Sequence, residues 1–489
     1  MNYALLPKPD QQIENILSYS PSEIHQFYNS TSLLNEGIYG RGFTIAIVDP
    51  YGDPTIAGDL KQFDATFGLP NPPSFNVLCI DGPCNYEEGI LTGASVEIEL
   101  DVEWSHAMAP GANINLYISS NFLSGPLYDA ELAAVLGASG TAENVAGGIG
   151  TPGVYHNNII SNSFGEPEND YQNSQSYAQN YSQISGNGPI GYPWADQVFQ
   201  EAAARNITVF ASSGDYGAYL QGYPYLQTLP YGGINNPADD PFVTSVGGTS
   251  VYMKTTSGSL SYPESDANGG YGTETAWSWS NAQAEFPGAP DGATTGGFSS
   301  IFPRPAYEKG PGVPNSGARS DPDVSWLADP YTGVLVYGLS PYTGQMSFYG
   351  IGGTSVGSPS WAGVQALLDQ YAGHSLGFMN PTFYSILNNP SEYSRAFHEV
   401  TFGNNDPFSA TPGWNPTTGI GTPNIGELAS VIAGKSPSLS VQVTNGLTRP
   451  VLPNSPTPAY TYRDTVTLSA SINNHMMVSG PVMADLSSL

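Results

Sequence analysis

The sequence predicts an α/β fold: a mostly parallel β-sheet flanked by helices, with a short β extension at the C-terminus. Three observations carry this prediction. Short apolar runs at 43–48, 112–117 and 159–163 read as buried strands. An amphipathic helix over 194–205 leads directly into a further apolar run at 207–210. Strands separated by helices in this way pair largely in parallel and are covered on both faces. On such sheets, ligands bind outside the carboxyl ends of the strands.

Residues 1–16 read as a polar leader, and the strand–helix pattern starts from Tyr19. The first strand ends at Asp49. The Gly-, Pro-, Ser- and Tyr-rich stretch from about 216 to 315 reads as long surface loops with short strands. Gly352-Gly353-Thr354-Ser355-Val356-Gly357-Ser358-Pro359 then places a serine between flexible glycines and the alanine-rich apolar run 361–368. A serine at the first turn of a helix can expose its hydroxyl where free backbone N–H groups point toward developing negative charge. Pro359 is tolerated in that turn because its missing N–H would have no intrahelical partner. After Gly434 the character changes. Residues 435–438 read as a linker, 439–443 is β-prone, and 465–472 alternates with period two. Two or three strands are too few for an independent sandwich, so 435–489 reads as a linker and a partial β-rich domain following a main domain at 17–434.

Composition narrows the function. Against 42 Asp and Glu stand 12 Lys and Arg, giving a net charge of -30 and a pI near 4.1. That argues against nucleic acid and anionic membrane surfaces as partners, since both recruit basic patches. With so few basic groups, protonating every carboxylate leaves little positive charge to unfold the chain in acid. No run of about 20 apolar residues exists, so no membrane span is expected. Abundant Tyr and Gly, scarce Lys, and sequons at Asn29, Asn180 and Asn206 fit a secreted protein, extracellular or at the cell surface. Cys79 and Cys84 flank an Asp-Gly-Pro turn that would let a short disulfide close.

Ser95-Val96-Glu97-Ile98-Glu99-Leu100-Asp101-Val102-Glu103-Trp104 fits two templates. As a strand it has one acidic face, with Glu97 and Asp101 roughly 13 Å apart. As a helix, Val96, Leu100, Trp104 and Ala107 form its apolar stripe, and the Glu97 and Asp101 β-carbons come within about 6 Å. Only the helix makes them a working pair. Two like charges so close are costly unless they share a proton, which raises one pKa. Such a carboxylate can serve as general base toward a serine in acid, where a histidine would be protonated. A third carboxylate, Asp215, follows the strand at 207–210 between glycines. Held protonated, it could donate to an oxyanion. None of the histidines at 25, 106, 156, 374, 398 and 475 stands in the context a Ser-His-Asp hydrolase would want. Asp49, at the strand end such a hydrolase would use, is therefore set aside.

Four motifs together resemble the sedolisins, serine-carboxyl peptidases with a subtilisin-like fold that act in acid. They are Glu97-Ile98-Glu99-Leu100-Asp101, Ile160-Ser161-Asn162-Ser163-Phe164-Gly165, Ser213-Gly214-Asp215 and Gly353-Thr354-Ser355. The resemblance spans about residues 17–434. It implies Ser355 as nucleophile, Glu97 as general base, Asp101 as its support and Asp215 as oxyanion donor. It also implies a substrate cleft lined by Ser161, Ser163, Phe164 and Gly165, with polypeptides as substrates of a monomeric enzyme. The family's calcium site would fall on Glu399, Val400, Thr411, Gly413 and Asn415. Here Glu399 and Asn415 stand where aspartates are expected, and Thr411 replaces a glycine whose carbonyl would bind. One carboxylate charge is lost, which weakens such a site. The family's pro-domain is expected to be absent from this chain. An acid-active endopeptidase is the first expectation; a tripeptidyl aminopeptidase of the same family and an inactive surface-binding relative are the alternatives.

Overall fold

The structure is a computed structural model that describes residues 18–141, 148–168, 192–218, 233–254, 260–261, 270–278, 292–406, 408–434, 438–444 and 467–473. The polar leader at 1–16, the sequon at Asn180 and residues 435–437 of the linker lie outside them.

Six strands with few charged residues form the parallel centre: β1 (Thr44–Pro50), β2 (Phe75–Cys79), β3 (Asn113–Ser119), β4 (Ile159–Asn162), β5 (Thr208–Ser212) and β6 (Thr244–Lys254). With β7 (Gly270–Ala276) at the end, their order is β7-β6-β5-β4-β1-β3-β2. Only β7 in that row is antiparallel to its neighbour; β8 (Val324–Leu327) adds a further parallel pairing along the first half of β6. Register follows apolar burial: Ile47 of β1 lies opposite Leu116 of β3 on one side and Ser161 of β4 on the other.

Successive side chains of a strand face opposite sides, and this sheet has a core on each. Ile45 and Ile47 pack into one core with the helices α1 (Ile56–Phe67) and α2 (Ala94–Met108). Ala46 and Val48 pack into the other with α3 (Ser124–Leu136) and α4 (Tyr192–Ala204). The doubly covered α/β architecture is the one the sequence predicts. Cys79 and Cys84 form a disulfide just after β2. In the tail, Ser438–Thr444 and Thr467–Asn473 pair antiparallel, with Val441 opposite Ala470.

Two readings need correction. Residues 244–254 fall in the stretch expected to be long surface loops with short strands, yet β6 is a buried eleven-residue strand that joins the parallel row next to β5. Its Gly247 and Gly248 are there because neighbours press in. A β-carbon on Gly248 would lie 2.6 Å from the Ala328 β-carbon, and one on Gly247 would lie 2.7 Å from the Pro322 ring. The two-template segment at 95–104 is settled as helix α2, but without the expected amphipathic face: all fifteen of its residues are buried.

A fifth helix, α5 (Gly357–Ala372), follows a 3-10 turn over Thr354–Val356 and packs closely against α2. Gly363 makes the approach possible, since a β-carbon there would lie 2.5 Å from the Met108 β-carbon and 2.8 Å from the Ser105 carbonyl oxygen. Trp104 and Trp361 extend the anchoring by donating indole N–H bonds to Leu335 and Ser325 carbonyls at 2.9 and 3.1 Å. The Gly363→Ala substitution should force these helices apart and cost about 1–3 kcal/mol. Denaturant unfolding of the variant beside wild type checks this.

Candidate active site

The site forms where α2, the turn before α5 and the ends of β1, β4 and β5 meet. Ser355 sits in the 3-10 turn Thr354–Val356, half-buried. Gly353 precedes it with φ 107°, a left-handed conformation that favours glycine, and its N–H is fixed by the Ala328 carbonyl at 2.6 Å. The space beside Gly353 is taken by Asp215. A β-carbon at 353 would lie 2.7 Å from Asp215 Oδ2.

Thr354 joins the serine turn to the segment after β5. Its N–H and hydroxyl both donate to Asp215 Oδ1, at 2.8 and 2.9 Å, and its Oγ1 accepts from Gly214 N–H at 3.0 Å. Burial raises the Asp215 carboxyl above its ordinary value, against the two Thr354 donors that favour the charged form. Thr354 stands inside a motif the sequence singles out, yet its bridging role is visible only when the two loops are brought together.

On the other side of Ser355 lies a carboxyl cluster. Glu97 and Asp101 are 1% and 0% exposed on α2. Ser163 connects Asp101 to the serine turn: its hydroxyl lies 2.9 Å from Asp101 Oδ1 and 3.4 Å from the Ser355 carbonyl oxygen. Burial pushes Asp101 well up, and the nearby Asp49 and Glu97 charges push the same way. Asp49 behaves likewise, raised first by burial and then by Glu97. Asp49, set aside as the acid of a Ser-His-Asp triad, is buried close enough to Glu97 and Asp101 for their charges to raise one another.

The four residues expected to line a cleft divide. Ser161 is fully buried with its hydroxyl 2.9 Å from that of Ser358, beneath the serine turn, so it does not form cleft surface. Ser163 serves Asp101, Phe164 packs edge-on against Tyr128 at 6.5 Å, and Gly165 lies against Asn235. Among the described histidines none joins the site. His25 is bound to Ser30 and the Ala107 carbonyl, and His106 lies 2.8 Å from the Pro70 carbonyl oxygen and 3.1 Å from an Asp64 carboxyl oxygen. His398 stacks on Tyr271, and His156 and His374 are at the surface.

Two regions bear on metals. Asp53, Asp59 and Glu99 each bring a carboxyl oxygen within 4.8 Å of the others, a spacing able to surround a single cation. Glu99 projects from the face of α2 opposite Glu97 and Asp101 and accepts from Leu339 N–H at 3.0 Å and from the Tyr349 hydroxyl. The residues expected to hold calcium do not fit one. Glu399 is exposed and accepts from Gly413 N–H at 2.7 Å. The Asn415 amide donates to the Val400 and Thr411 carbonyls at 3.3 and 3.0 Å, so two oxygens expected to face a cation face N–H groups instead.

The buried acids dominate the electrostatics. Burial lifts Glu99 and Glu131 to about 8 and Asp59 to about 6. A folded-state value above the unfolded one gives stability that is full below the ordinary carboxylate range and is lost as pH rises through the raised value. Thermal stability should therefore fall between about pH 4.5 and 8. Glu131→Gln should flatten that fall by up to one proton, about 1.4 kcal/mol per pH unit. Calorimetric Tm measured across this range for both proteins checks it.

The chain is similar to known peptidases. It is 32% identical over 420 residues to kumamolisin of Bacillus sp. (strain MN-32), covering 83% of this chain and 62% of that protein. To sedolisin of Pseudomonas sp. (strain 101) it is 36% identical over 245 residues, covering 48% of this chain and 37% of the relative. Tripeptidyl-peptidase 1 of Canis lupus familiaris is 26% identical over 460 residues, covering 88% and 68%. The chain thus spans less than two thirds of the length of the first two. Among solved structures, Pseudomonas sedolisin, a serine-carboxyl proteinase complexed with pseudo-iodotyrostatin, superposes with a TM-score of 0.62 at 28% identity, covering 86% of this chain and 99% of that one. No family model matches the sequence.

Proposed function

Because the chain belongs to the sedolisin family, we propose that it is an acid-active serine-carboxyl endopeptidase, working outside the cell or at its surface on polypeptides. In this reading residues 17–434 are the peptidase unit and 435–489 a linker and partial β-rich domain. One observation carries the reading. The serine turn has a buried carboxyl cluster linked to it through Ser163 on one side, and on the other a carboxyl oriented by Thr354.

In this reading Glu97 takes the Ser355 hydroxyl proton as the serine oxygen bonds to the scissile carbonyl carbon. Asp101 and Asp49 act on Glu97 through their charge, so the protonation of one acid depends on the others. Asp215, protonated, and the Ser355 N–H donate to the oxyanion of the tetrahedral intermediate. Glu97 then returns the proton to the leaving amine, and water releases the acyl group by the same steps. Gly353 leaves room for the Asp215 carboxyl, and Thr354 binds Oδ1, so that Oδ2 is the oxygen left to carry the donated proton.

The pH dependence follows in sign. Asp215 must be protonated to donate, and burial raises its value, so activity is present in acid and is lost as pH rises through that value. Hydrolysis of an unfolded protein from about pH 2 to 8 should be confined to the acid side, and Ser355→Ala and Glu97→Gln should each lose at least about a thousandfold in kcat/KM. Activity surviving Ser355→Ala would overturn the assignment. The similarity to tripeptidyl-peptidase 1 gives a second reading, which fragment lengths resolve: internal cuts mark an endopeptidase, successive N-terminal tripeptides the alternative.

A further inference from the structure

The loop over residues 411–419 is bound together from within by a single side chain. Asn415 is 1% exposed, and its amide uses both ends. The Oδ1 accepts from the backbone N–H groups of Thr417 and Thr418, both at 3.1 Å, and from the hydroxyls of the same two residues. Those backbone donors fix the amide orientation, because a nitrogen in that place would face two N–H groups. The Nδ2 therefore points the other way, toward the carbonyls of Val400 and Thr411. Backbone bonds between Asn415 and Gly419, at 3.1 and 2.9 Å, close the loop.

We propose that the Asn415 amide stands in for the calcium ion of the family's site, making this loop a cation-free clamp. Electrostatics supply the reason. Two carbonyl oxygens and a carboxylate turned toward one another repel unless a cation lies between them. Two N–H groups of a neutral amide satisfy the same carbonyls with no ion and no pH-dependent charge. Glu399, the remaining acid of the set, is released to the surface and caps Gly413 N–H.

The clamp reaches the site. The Thr417 carbonyl accepts from the Thr294 hydroxyl at 3.2 Å, and Asn405 Nδ2 lies 3.1 Å from the Thr294 carbonyl and 3.3 Å from that of Pro416. The residues on either side of Thr294 pair with the Asp215 segment: Ala293 N–H donates to the Asp215 carbonyl at 3.0 Å, and Thr295 N–H to that of Gly214 at 2.9 Å. An amide thus braces the segment that carries Asp215.

Thermal unfolding tests the proposal independently of peptidase activity, so its failure and that of the proposed function are distinguishable. Wild type, Glu399→Gln, Asn415→Asp and the double variant Glu399→Asp/Asn415→Asp are purified in calcium chloride, then measured with calcium or with excess EGTA. Wild type and Glu399→Gln should respond to calcium identically. The two Asn415→Asp proteins should gain a calcium-dependent rise in Tm of about 5 °C or more, larger in the double variant. A wild-type calcium response that disappears in Glu399→Gln would overturn the proposal. So would Asn415→Asp proteins whose calcium response equals that of wild type while they remain folded by circular dichroism.

Discussion

Burying carboxyl groups without matching cations is the constraint on which the rest of this structure depends. Helix α2 is enclosed on every side, yet it carries Glu97, Glu99, Asp101 and Glu103, and Asp49 and Glu131 are buried nearby on the sheet and α3. Among the described residues, the cation wholly buried in ion pairs is Arg319, and it serves Glu308 and Asp323 elsewhere. Taking a carboxylate out of water without a partner penalises the charged form. Burial pushes Asp49, Asp101 and Glu99 up toward their neutral forms, and neutral donors such as Ser163, Thr354 and Tyr349 bond to Asp101, Asp215 and Glu99. The proposed activity in acid and the expected gain of stability in acid would both follow from this scarcity of positive charge.

Much of the frame was legible in the sequence. The runs at 43–48, 112–117, 159–163 and 207–210 are strands β1, β3, β4 and β5, and the helix read over 194–205 is α4 to within two residues. These elements carry strong local signals because each buries apolar side chains against a helix. What was not legible has physical causes. Helix α2 could not be told from a strand by periodicity, because a helix buried all round has no polar face to mark its turn. Strand β6 was hidden by Gly247, Gly248 and its Ser and Thr residues, which are demanded by close neighbours across the sheet and weaken the apolar pattern.

The residues proposed to be functional divide along the same line. Ser355, Glu97, Asp101 and Asp215 lie in short local motifs, so residue type and spacing single them out. Asp49, Ser163 and Thr354 act across distances of many tens of residues, and only the fold brings them to the serine turn. Ser161 shares a motif with Ser163 but, two residues earlier along β4, has its hydroxyl tied to Ser358 beneath the turn. Asn415 shows the limit most sharply. The sequence records a lost carboxylate; the structure adds that the new amide turns its nitrogen toward the carbonyls.

The contact at Gly363 has a consequence for how such a molecule can change. Helix α2 carries the acid cluster and α5 continues from the serine turn, and the two meet backbone to backbone, with almost no side chain between them. Their separation at this point is therefore set by main-chain geometry. A change in the surrounding loops would therefore leave the spacing of the proposed reacting groups to this contact. Peptidases of differing appetite can share one chemical engine, because the engine is mounted on its own axle.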